Sequence, residues 1–161
     1  MSEDRAPEHG HVRPVVALGL ATAGFIALLI AGLGVTSLVL DADVIDVPGL
    51  GQIPGIVGTA ATTAVFALSL WIALRRRHAV LRGAVVTMVL ATLAYVAGVW
   101  FGALLAGAEL GAAGDAASGV LFSWFSVVIA ASAFGSAAAG IALVRTDAQR
   151  PRWRWEDPFD E

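Results

Sequence analysis

Cysteine, lysine and asparagine are absent from this chain of 161 residues. Without cysteine there can be no disulfide, no thiolate metal site and no thiol redox centre. That alone excludes the quinone-coupled disulfide oxidases, which are also small four-helix membrane proteins. Charge is scarce as well: 14% of the residues are charged and 58% are hydrophobic, whereas a soluble domain carries about 25% charged residues. The scarcity is concentrated. No Asp, Glu, Lys or Arg occurs from Pro14 to Leu40, Val47 to Leu74, Gly83 to Ala108 or Ala116 to Val144, and each of these stretches exceeds the ~20 residues that cross a bilayer as helix.

These blocks predict an all-α, integral membrane four-helix bundle with helices at about 14–39, 54–75, 82–107 and 117–145. The bundle domain then spans 14–145, between an N-terminal tail at 1–13 and a tail rich in Arg, Trp and acid at 146–161. Pro14 and Pro54 suit first helical turns, where the missing N–H has no partner to lose. The first block is too long for the ~7–15-residue core of a signal peptide and lacks a small-residue cleavage pattern after it, so it reads as a retained anchor. The first and fourth helices exceed the ~30 Å of hydrocarbon and are expected to tilt or project.

The ten positive charges, all arginine, sort by loop. Arg5 and Arg13 precede the first helix; Arg75, Arg76, Arg77 and Arg82 lie between the second and third; Arg145, Arg150, Arg152 and Arg154 follow the fourth. The two other loops hold acids only: Asp41, Asp43 and Asp46 in one, Glu109 and Asp115 in the other. Arginine in short loops is retained in the cytoplasm, so both termini are expected to be cytoplasmic, with Arg75, Arg76, Arg77, Arg82 and Arg145 as topology determinants. The aromatic belt agrees, with Trp71 next to the arginine cluster and Trp100 and Phe101 near the far boundary. Arginine in place of lysine, with abundant Ala, Gly and Val, points to a high-GC bacterial genome and so to a bacterial cytoplasmic membrane.

Helices in lipid associate through small residues that let backbones approach. The third helix carries Ala94, Gly98, Gly102 and Ala106 at steps of four; the fourth carries Ala131, Gly135 and Ala139 beside Ser132, Ser136 and Gly140; the first carries Ala23, Ala27 and Ala31. Gly98-x-x-x-Gly102 reads as a seam between copies or as packing inside one chain, and in a chain this rich in Gly and Ala the second reading is favoured. The candidate packing residues are Ala94, Gly98, Gly102, Ala106, Gly135, Ser136 and Gly140.

The spans contain no ionisable Asp, Glu, Arg or Lys, the groups that ion- or proton-coupled transport uses at depth. Small multidrug-type transporters match only in helix number, because they need a carboxylate in the first helix, where this chain offers Thr22, Thr36 and Ser37. Hydroxyls supply the interior polarity: Thr59, Thr62, Thr63 and Ser69, then Thr87, Thr92 and Tyr95, then Ser123, Ser126, Ser132 and Ser136. Such hydroxyls either line a narrow path or bond to nearby carbonyls, and the second is commoner. No serine has a His or Lys base at its own depth. Asp41, Asp43 and Asp46 lack calcium-loop spacing, and His9 with His11 is only a pair in a tail. No metal, cofactor, catalytic residue or nucleic-acid partner is expected. The uncharged run after Asp46, "VPGLGQIPG", reads as a cap on the bundle or as a docking segment for a partner, and the cap is favoured.

The tail "PRWRWEDPFDE" alternates Arg152 and Arg154 with Trp153 and Trp155, then turns acidic around Phe159. Arginine and tryptophan suit an anionic headgroup layer, whereas the acids after them do not. Arg152, Trp153, Arg154, Trp155 and Phe159 are therefore candidate contacts either with the lipid surface or with a docked protein. The expected function is a non-enzymatic accessory or scaffold subunit of an envelope membrane complex. The alternative is a small homo-oligomeric channel or facilitator lined by hydroxyls of the second and fourth helices.

Overall fold

The computed structural model describes residues 13–45, 51–76 and 79–145. They form five helices: α1 (Pro14–Leu40), α2 (Ile53–Arg75), α3 (Val80–Leu105), α4 (Leu110–Leu121) and α5 (Trp124–Arg145). Four of them, α1, α2, α3 and α5, are long and apolar enough to cross a membrane, which makes the chain a multi-pass membrane protein of the four-helix-bundle class.

Close approaches fix the register of the bundle. On α2 and α3, Gly58 meets Tyr95 and Val99, Gly102 meets Pro54, and Gly83 meets Ala73. On α1 and α5, Gly140 meets Ala21 and Gly32 meets Val128. Both pairs are therefore antiparallel. Around the bundle the order is α1, α2, α3, α5, with α2 and α5 touching across the short diagonal while α1 and α3 do not touch. The core is continuous through these four helices: Phe25 stacks on Phe66 with ring centroids 4.3 Å apart, and Leu29, Leu70, Val99 and Ile129 are fully buried beside them.

The helix ends follow local chemistry. Pro14 and Pro54 each sit in a first turn. Helix α1 stops at Asp41, which adopts the left-handed conformation (φ 49°) that Asp tolerates better than most residues; the Ala42 N–H then bonds back to the Ser37 carbonyl at 3.2 Å. Helix α3 ends in a Schellman motif. Gly107 takes φ 89°, its N–H reaches Leu104 O, and the Ala108 N–H reaches Ala103 O, each at 3.0 Å. The third helix therefore ends at Leu105 rather than at the expected 107, and it begins at Val80, two residues before the expected 82.

The expected helix over 117–145 is in fact two. Helix α4 has 12 residues and buries Ala113, Ala116, Ala117 and Val120, a stripe spaced for one helical face. At about 18 Å it is too short to span, and Asp115 lies on its exposed side. The break comes at Phe122 and Ser123. The Ser123 hydroxyl donates to the Val120 carbonyl at 2.8 Å, and the Ser123 N–H takes the same acceptor at 3.3 Å. A carbonyl engaged three residues on is one that a continuous α-helix would have used four residues on. The last span is consequently 22 residues, Trp124–Arg145, about 33 Å and matched to the hydrocarbon layer.

Candidate functional site

Alternating helices bring Arg13, Arg75, Arg76, Arg82 and Arg145 to one end of the bundle and Asp41, Asp43, Glu109 and Asp115 to the other. All nine side chains are on exposed residues. At the arginine end the Arg75 guanidinium lies 4.4 Å from the centre of the Trp71 ring, a cation–π contact that holds both at the boundary suited to them. Arg77 lies outside the described residues, as do Asp46 and the tail residues Arg152, Trp153, Arg154, Trp155 and Phe159. The first four residues of the uncharged run after Asp46, 47–50, are also outside them; Gly51 and Gln52 form a turn and the end of the run, from Ile53, forms the first turn of α2.

The small residues at helical spacing divide into those that pack and those that face out. A Cβ on Gly98 would lie 2.7 Å from the Gly58 Cα, and one on Gly102 would lie 2.7 Å from the Pro54 Cα. The glycine pair thus lets the α2 and α3 backbones touch inside one chain. Ala94 and Ala106, a turn to either side, are half-buried. On α5 the inward stripe is Ser132, Ser136 and Gly140, all buried; a Cβ on Gly140 would lie 2.8 Å from the Ala21 Cβ. Gly135 is not part of that contact. It is exposed, like Ala131 and Ala139, and nothing lies within 4 Å of where its Cβ would be. Ala23, Ala27 and Ala31 of α1 face outward as well.

Most of the interior hydroxyls that bear on a solute path are engaged by the chain's own groups. Thr62 donates across the α2/α3 seam to the Ala91 carbonyl at 2.7 Å. Thr63, Thr92 and Ser69 bond back to Thr59, Met88 and Phe66 within their own helices, and Ser126 bonds to Ser123. Thr22, Thr87 and Ser136 carry buried hydroxyls without a partner among the described residues. Among those residues there is also no cluster of three His, Asp or Glu side chains able to hold a metal.

Among the described residues, interior surfaces are thus spent on packing, and charge lies at two ends of opposite sign. A family model matches along residues 1–161. The chain belongs to DUF6121, a family of unknown function. No curated protein and no solved structure matches it. Family membership therefore assigns no substrate and no partner, and the reading of function rests on the geometry above.

Proposed function

We propose that this DUF6121 chain is a non-enzymatic subunit of an envelope membrane complex, seated in a bacterial cytoplasmic membrane with both termini in the cytoplasm, and that it works by association. The observation that carries this reading is the closed interior. Fully buried aromatic and aliphatic side chains occupy the bundle axis, and the interior hydroxyls that cross or follow the helices are mostly bonded to the chain itself. Chemistry is left to the two charged ends. The arginine end carries the segment that continues past Arg145 into the tail at 146–161, where tryptophan and arginine, the residue types that dominate binding hot spots, are concentrated.

The test is affinity purification from native membranes in mild detergent, comparing the full chain with a version ending at Thr146. Loss of a co-purifying protein on truncation supports the docking role. Identical protein content in the two preparations reduces the tail to a lipid-surface segment.

One observation favours the second reading, a homo-oligomeric facilitator. The unpartnered hydroxyls of Thr87 and Ser136 are both buried, on α3 and α5, helices that pack on each other. A facilitator would move solute in liposomes containing this protein alone, and Ser136→Ala would change that flux. Alanine is the substitution of choice, because the Ser136 side chain is buried and a larger residue would disrupt packing whatever the function.

A further inference from the structure

The acidic end of the bundle contains a cavity. Helix α4 packs on α3 and α5 but its backbone stays away from that of α1, and a gap lies between the end of α1 and the α4–α5 break. The gap has a volume of about 280 Å³, near the lower end of small-molecule sites, which begin at roughly 300 Å³. Leu40, Val44 and Val120 supply apolar wall, and Asp43, Asp115 and Trp124 line the same space.

Local structure holds these groups in place. The loop carrying Asp43 is pinned to α1 twice, by the Ala42 N–H on the Ser37 carbonyl and by the Ser37 hydroxyl on the Ala42 carbonyl at 2.7 Å. Asp115 is exposed on α4, next to Ala116 and Val120, which are buried and anchor the helix. Trp124 opens α5 directly after the Ser123 bond to Val120. The two carboxylates come from segments far apart in sequence, one from the loop after α1 and one from α4, and every arginine of the described residues is at the opposite end of the bundle. With helices of about 33 Å between the two ends and a Debye length of about 8 Å at physiological salt, no arginine there screens them.

Two exposed carboxylates on a loop need only water. Two carboxylates, an indole and an apolar wall around one cavity are complementary to something more specific: a positive group that accepts both carboxylates and an aromatic face, attached to a hydrocarbon stem. We propose that this cavity binds the alkylammonium group of a cationic amphiphile, with the ammonium between Asp43, Asp115 and Trp124 and the adjoining methylenes along Leu40, Val44 and Val120. A zwitterionic phospholipid fits less well, because its phosphate would be brought against the same two carboxylates. The complementarity is the same whichever side of the membrane the acidic end faces.

The experiment is isothermal titration calorimetry of decyltrimethylammonium into the full chain in dodecyl maltoside, with empty micelles subtracted. Saturable binding is expected, about tenfold weaker in Asp43→Asn/Asp115→Asn and about threefold weaker in Trp124→Leu. Asp41→Asn/Glu109→Gln removes the same charge from the same end at residues that do not line the cavity and is expected to weaken binding clearly less than Asp43→Asn/Asp115→Asn does. Equal weakening in the two double variants would reduce the effect to general surface charge and overturn the site. Equal heat from uncharged decyl glucoside would overturn it too, since the cavity would then take hydrocarbon without reading charge. All four acids are exposed, so the amide variants leave the core untouched; a thermal unfolding profile unchanged from wild type verifies that each remains folded.

Discussion

The α2/α3 seam and helix α1 use the same kind of sequence, small residues at steps of four, for opposite purposes. At the seam, Gly98 and Gly102 sit where an added Cβ would strike backbone, and the approach they allow brings Thr62 within 2.7 Å of the Ala91 carbonyl. On α1 the alanines at 23, 27 and 31 face away from the bundle, and the helix is the least buried of the four spans. It is held to α5 at Ala21/Gly140 and Gly32/Val128 and to α2 through the Phe25–Phe66 stack. A pattern of small residues shows that a close approach is available; only the neighbouring helix shows whether it is used.

The sharpest way to break this contrast is at the seam. Gly98→Ala is expected to destabilise by about 1–3 kcal/mol, because the methyl meets the Gly58 backbone rather than a side chain that can move; thermal unfolding in detergent reads the loss, and Gly102→Ala should match it. Gly140→Ala comes next, at about 1 kcal/mol. Its methyl meets the Ala21 side chain on the helix with least burial, which can shift more readily. Thr62→Val keeps the shape of the side chain while removing the hydrogen bond that crosses α2 to α3, and is expected to cost about 0.6–2 kcal/mol in the same assay. The smallest effects belong to the outward stripes. Gly135→Ala should leave stability unchanged or raise it by up to about 1 kcal/mol, since the site is open and alanine is the better helix former. Ala27→Leu should be neutral. A clear loss at Gly135 or Ala27 would mean that a second copy or a partner packs on that face.

The four spans were legible because lipid demands long uncharged helices, and Pro14–Leu40 and Ile53–Arg75 lie within one residue of the expected limits. Which face of each helix turns inward was not legible. A soluble helix announces its buried side by contrast with a polar one, but these helices are apolar all round, so Gly135 and Gly140 looked alike although one is exposed and the other packs on Ala21. The split between α4 and α5 left a faint trace: Gly111, Gly114, Ser118, Gly119 and Ser123 fall within 13 residues, a density that weakens helix and offers hydroxyls to the backbone. Asp115 so close to the start of the last uncharged block was a second hint that the span begins later. The cavity left no trace, because Asp43 and Asp115 become neighbours only when α1 and α4 are placed on either side of the same gap.

We propose that charge sorts this chain into an arginine end in the cytoplasm and an acidic end outside. Because cysteine is absent, single cysteines can be introduced without background. Glu109→Cys and Ala79→Cys place a thiol on an exposed residue at the acidic and arginine ends respectively, and neither removes an arginine. A membrane-impermeant maleimide added to intact cells should label Glu109→Cys at once and Ala79→Cys only after permeabilisation. Labelling of Ala79→Cys in intact cells, with Glu109→Cys protected, would invert the topology and contradict the account.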